Sequence, residues 1–186
     1  MTFLYLAFEP KTGSMKRSAT LITLLLAGMI ISNVRAQSEF SSPLIGIGIV
    51  VSDLDRSMDF YTNVIGMKKT GAFSVDEELA RSSGMTGGVP FDVNVMKLEE
   101  SKDANVWKLM SFNREATCPR SEFIQDDVGM QYVTIMVKSL KPFLDRIRTH
   151  GVKLEGETPL KMDGGNGFVL VKDPDGIFIE LIGPLE

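Results

Sequence analysis

The clearest pattern of apolar and polar positions lies in residues 45–67. Ile45, Ile47, Ile49 and Val51 alternate with Gly46, Gly48 and Val50. This predicts a strand with one apolar face and one nearly bare face. Ser52 or Asp53 then offers a short polar side chain to cap a helix. In that helix Leu54, Met58, Tyr61 and Ile65 form one apolar stripe, able to lie back on the strand. Gly66 ends it. Residues 68–75 read as a second strand, and 76–83 as a short polar helix before the breakers Gly84, Gly87 and Gly88. Residues 91–98 and 106–112 read as a third and a fourth strand around a polar turn.

The same order begins again at Gln131. Val133, Ile135 and Val137 alternate with Tyr132, Thr134 and Met136, and Ser139 caps a helix carrying Leu140, Leu144 and Ile147 on one face. Gly151 closes that helix. Residues 152–159, 168–172 and 177–182 read as three strands. The last two are joined by Asp173-Pro174-Asp175-Gly176, with Pro preset for a turn and Gly free to take positive φ. Each half is thus strand, helix, strand, strand, strand. Residues 113–130 have no period and read as a linker. A repeat of roughly 60–70 residues predicts two like modules packed as a pair.

The beginning of the chain has a different character. Met15-Lys16-Arg17, an apolar run from Leu21 to Ile31, and Val34-Arg35-Ala36 follow the basic, apolar, small-residue order of a secretory signal. The run is short for a span of about 20 residues. The expectation is therefore cleavage after Ala36, with Met15 as an alternative start. A secreted or periplasmic chain without stable membrane insertion would follow. Residues 37–43 are then a short linker and 44–186 one domain, with module one at 44–112, the linker at 113–130 and module two at 131–186. Losing four basic residues and one acidic residue takes the net charge from −4 to −7. That balance argues against nucleic acid or anionic lipid as partners. Cys118 is the only cysteine, so no internal disulfide forms.

The stretches GIVVSDLDRSMDFYTNVIGM and VKDPDGIFIELIGP resemble the two ends of the vicinal oxygen chelate superfamily. This is the group of glyoxalase I, bleomycin-resistance proteins, extradiol dioxygenases and methylmalonyl-CoA epimerase. The resemblance covers residues 44–186. It implies an α+β fold of two βαβββ modules whose curved sheets enclose a cup. Members with a metal hold it on four side chains, from the first and last strand of each module. By register the resemblance places Gly46, Lys108, Tyr132 and Glu180 there. Only Glu180 is of a usual ligand type, so the expectation is no bound metal and no cofactor.

The residues themselves point the same way. Glu180 sits in an apolar strand and Lys108 shares a face with Val106, Met110 and Phe112. Buried charges demand partners, so if the modules pack as the resemblance implies, Lys108 and Glu180 face one cup and an ion pair in the space of the absent metal is expected. The alternative is two unrelated polar residues near strand ends that reach solvent. His150 reads as a helix-end surface residue, and Asp173 with Asp175 as a plain turn. The bare side of the first strand, at Gly46 and Gly48, leaves floor space for a ligand, with Phe91, Trp107 and Tyr132 as walls. Beside a structural or accessory role with an occluded cup, two functions compete. One is a metal-free protein that binds a small molecule in the cup. The other is a lyase or isomerase with Glu180 as general base, Lys108 as electrostatic stabiliser and Tyr132 as proton donor. The sequence leaves open whether the modules pair within one chain or in a homodimer.

Overall fold

Alternation and capping act locally much as their residue types dictate. In the computed structural model, which describes residues 39–114 and 121–186, module one contains β1 (Gly46–Val51), α1 (Leu54–Asp59) continued by a π-helical stretch (Phe60–Val64), β2 (Lys68–Val75), α2 (Glu77–Ser82), β3 (Phe91–Lys97) and β4 (Val106–Ser111). Module two contains β5 (Tyr132–Met136), α3 (Lys141–Thr149), β6 (Leu160–Lys161), a 3-10 turn (Asp163–Gly165), β7 (Asn166–Lys172) and β8 (Phe178–Pro184). Of the two candidate caps before α1, Asp53 takes the role: its Oδ1 accepts from the Arg56 N–H at 3.0 Å. Ser139 is not the cap of α3: the N-cap position falls to Leu140, one residue later, and Ser139 Oγ accepts from the Lys141 N–H at 3.2 Å from just outside the helix. The expected signal segment and linker residues 115–120 lie outside the described residues. Among the described residues no helix is long and apolar enough to cross a membrane.

Each module makes a four-stranded sheet, in the order β1-β4-β3-β2 and β5-β8-β7-β6. The first and last strands of each module run parallel, and the remaining pairs are antiparallel. The repeat read from the sequence is therefore the repeat of the fold: two βαβββ modules of the α+β class. One expectation fails. Residues 152–159 supply only an isolated bridge, Leu154 to Val171, and the strand paired with β7 is Leu160–Lys161. Gly156 turns the chain at φ +61° and Pro159 has no N–H to give a ladder, so pairing is delayed until Leu160.

The odd-numbered side of β1 and β5 builds the core. Ile49, Val51 and Ile135 are buried, while Gly46, Val50, Tyr132, Thr134 and Met136 on the other side are exposed. Period-two alternation divides each sheet into a sealed face under α1 and α3 and an opposite, more open face, one end of which α2 covers in module one. One cluster joins Leu109 and Trp107 of module one to Val169, Val171, Ile179 and Leu181 of module two, with Tyr61 and Ile147 from the helices. Polar ties cross the same seam. The Tyr61 hydroxyl donates to Asp173 Oδ2 at 2.8 Å, Ser52 N–H and Oγ–H donate to Asp175, and Arg146 Nε donates to the Val64 carbonyl at 2.8 Å. Residues Leu44–Glu186 thus form one compact unit.

Candidate functional site

The two open faces carry the four expected positions in matching places. In module one Gly46 lies across from Val106, and Lys108 two residues further on lies across from Gly48. In module two Tyr132 lies across from Phe178, and Glu180 two residues further on lies across from Thr134. The same two-residue stagger occurs in both halves, so the positions correspond under the internal repeat.

Their chemistry differs. A Cβ built on Gly46 would meet Cε and Nζ of Lys108 at 3.6 Å. The lysine stem thus lies within van der Waals reach of β1 at Gly46, where a side chain longer than a methyl would compete with it for space. A Cβ on Gly48 would meet Met110 Cε at 3.4 Å, so the floor there is already partly covered. In module two the Thr134 hydroxyl donates to Glu180 Oε2 at 2.6 Å. Both Lys108 and Glu180 are half-buried. They do not form the expected ion pair: within the 4.0 Å reach that defines one, neither has a charged partner among the described residues. The carboxylate is satisfied by a neighbour on its own sheet, and half-burial lets water serve the ammonium, so no buried charge forces them together.

The wall residues also sort differently. Tyr132 stands on the open face at 48% exposure, available to a ligand. Trp107 does not. As the immediate neighbour of Lys108 it points to the opposite side, where it is buried with its ring centroid 5.7 Å from that of Tyr61. Among the described residues its Nε1 makes no hydrogen bond of good geometry, and the Tyr61 hydroxyl is its polar neighbour. Phe91 is buried beneath α2 with Val75, Ala80 and Val93, its ring centroid 5.3 Å from Phe112. It therefore supports the open face of module one from one end.

A divalent metal, which the fold implies for many relatives, is a poor match to these residues. Gly46 has no donor, Lys108 brings a cation, and Glu180 is the one carboxylate of the four. No group of three or more His, Cys, Asp and Glu side chains comes together among the described residues. His150 follows α3, with Nδ1 3.8 Å from Asp59, as its helix-end position suggested.

Asp173 and Asp175 are more than a plain turn. Asp173 Oδ1 accepts from the N–H groups of Asp175 and Ile177, and its other oxygen holds Tyr61. Burial raises the Asp173 pKa, and the bonds from Tyr61 and the two backbone amides oppose that rise. Burial, and then the charge of Asp173, pushes the Tyr61 hydroxyl far above its ordinary range. The phenol therefore stays protonated and donating. Both residues were visible in the sequence, as a stripe residue and a turn residue, but nothing local says that they meet.

Two four-stranded mixed sheets, duplicated as βαβββ units with an open face on each, define a class of paired-module α+β proteins. The chain belongs to the Glyoxalase/Bleomycin resistance protein/Dioxygenase superfamily, whose family model matches residues 44–181. It is 30% identical over 134 residues to lactoylglutathione lyase of Salmonella typhimurium, covering 71% of this chain and 85% of that one. It is 25% identical over 132 residues to lactoylglutathione lyase GLX1 of Arabidopsis thaliana, where it spans 41% of the plant protein's length. Among solved structures, a glyoxalase family protein from Bacillus cereus matches at TM-score 0.65 and 21% identity, over 81% of this chain and 99% of that one. The trypanothione-dependent glyoxalase I of Leishmania major matches at TM-score 0.52 and 23% identity, over 77% and 87%. These structural likenesses concern the fold alone.

Proposed function

We propose that this is an exported member of the superfamily that works without a divalent metal and binds a small molecule over the open faces of its modules. The observation that carries this reading is Lys108 lying across Gly46, with the ammonium 3.6 Å from the position a Cβ there would take. A cation in that place recruits an anionic ligand group instead of sharing a metal with Glu180. Tyr132 and the Thr134–Glu180 pair supply the complementary polar contacts. Homodimerisation belongs to the same reading, because Tyr132 and Met136 leave apolar surface exposed on the open face of module two.

A second reading rests on the 30% identity to a lactoylglutathione lyase. There Glu180 is a general base, Lys108 stabilises an enolate and Tyr132 donates a proton. One assay separates the two. The purified protein is given the hemithioacetal of methylglyoxal and glutathione, with and without added nickel or zinc. The binding reading expects no turnover above the Glu180→Gln control. Turnover that Glu180→Gln abolishes would replace it with the lyase reading.

A further inference from the structure

At the far end of the open face of module one, beyond Lys108, the C-terminal ends of β1 and β4 border a cleft of about 670 Å³. Its walls are apolar: Val50 from β1, Phe112 after β4, Met85 and Val89 from the loop after α2, and Ile177 from the turn of module two. Its polar lining is uneven. The Asp175 carboxylate is already held by Ser52 N–H at 3.1 Å and by the Ser52 hydroxyl at 2.5 Å. Arg114 lines the same cleft and has no ion-pair partner among the described residues. Asp53 and Asp55 border a smaller depression on the other side of Arg114, without pairing to it.

We infer that this cleft is a binding site for a molecule with an aromatic or branched apolar body and a single anionic group. The volume lies within the range of small-molecule pockets. The apolar walls reward burial of a hydrocarbon body, and Arg114 is the one cation among the described residues that line the cleft, suited to take a carboxylate or sulfonate in two parallel bonds. The fold explains why a cleft forms here. Module two contributes Ile177 only because Tyr61 anchors Asp173 and Ser52 anchors Asp175, fixing the β7–β8 turn against the end of β1. Such a ligand is unlike a wholly polar peptide, which would leave its backbone groups unpaired against Val50, Val89 and Phe112. This inference rests on the small-molecule reading above and narrows the class of ligand, but it uses none of Lys108, Tyr132 or Glu180.

Two fluorescent probes test it on the full chain. Anilinonaphthalenesulfonate has an aromatic body and one sulfonate, and phenylnaphthylamine has a similar body without charge. Saturable binding of both is expected at one site per chain. Val50→Trp and Met85→Trp, both at exposed positions, fill the cleft and should each remove binding of both probes. Arg114→Gln should weaken the sulfonate by about fivefold, the size of a solvent-exposed charge contact, and leave the neutral probe unchanged. A cooperative thermal transition in every variant excludes binding to unfolded chain. Retained binding in both tryptophan variants, or an equal loss of both probes in Arg114→Gln, would overturn the assignment. Failure of the Lys108 reading alone would leave these outcomes in place, so the two ideas fall separately.

Discussion

The two modules share a backbone plan and differ most where they face outward. On the sealed side the same choices recur: Ile49 in β1 matches Ile135 in β5, and Leu109 in β4 matches Leu181 in β8, all buried. On the open side the corresponding positions have parted. Module one presents a glycine and a lysine without an ion-pair partner among the described residues, while module two presents a tyrosine and a glutamate tied to Thr134. Packing constrains the first set, because an interior at crystal-like density tolerates little change of volume. Nothing comparable constrains the second, so those positions were free to take on different chemistry. The helices diverge too. α3 is a regular helix over Lys141–Thr149, whereas α1 passes into a π-helical stretch at Phe60–Val64. That local change carries Tyr61, which docks on the turn of the other module.

Mutations can break this comparison, starting with the sealed faces. Leu109→Ala and Leu181→Ala should each destabilise by about 2–5 kcal/mol, since both side chains are fully buried. Urea unfolding should show losses of similar size, and a marked inequality would mean that the two cores are not equivalent. Next comes the seam. Tyr61→Phe takes a hydroxyl from a buried carboxylate and should cost about 1–3 kcal/mol. This loss should depend on pH. The Tyr61 hydroxyl titrates higher in the fold than in the unfolded chain, so its contribution is full below about pH 10 and is lost as the pH rises beyond that. The gap between wild type and Tyr61→Phe should therefore narrow in alkali; a constant gap would contradict the buried, donating phenol.

The open faces should respond least and unequally. Thr134→Val removes the hydroxyl that serves Glu180 and should cost about 0.5–1.5 kcal/mol. Lys108→Met removes a charge without an ionic partner among the described residues and should stay within about 0.5 kcal/mol of wild type. A large loss at Lys108 would show that it is structural, which would erase the contrast between the modules. The double-mutant cycle between Lys108→Met and Glu180→Gln should give no coupling.

Much of the fold was legible before any coordinates. Alternation at residues 45–51 and 131–137, the cap Asp53 and the Asp-Pro-Asp-Gly turn are local signals, and local physics expresses them directly. The misplacement of β6 came from the same source, because Val152 and Leu154 look like a strand while Gly156 and Pro159 interrupt its ladder. The site was harder to read. Parity alone could have told that Trp107 and Lys108 face opposite ways, and the wall assignment ignored it. The partner of Glu180 needed the register of β5 on β8, which brings Thr134 opposite. The Tyr61–Asp173 contact and the cleft at Val50 join residues distant in the chain, and pattern reading holds no information on such meetings.

The central claim is that the four positions suited to a metal carry a cation and a single carboxylate instead. Elemental analysis tests it most directly. The full chain, purified without chelators, is incubated with zinc, nickel, manganese and iron salts and then desalted. The account predicts well under a tenth of an equivalent of each metal per chain, in wild type and Glu180→Gln alike, since one carboxylate cannot hold a divalent ion against water. Close to one equivalent in wild type, lost in Glu180→Gln, would contradict it.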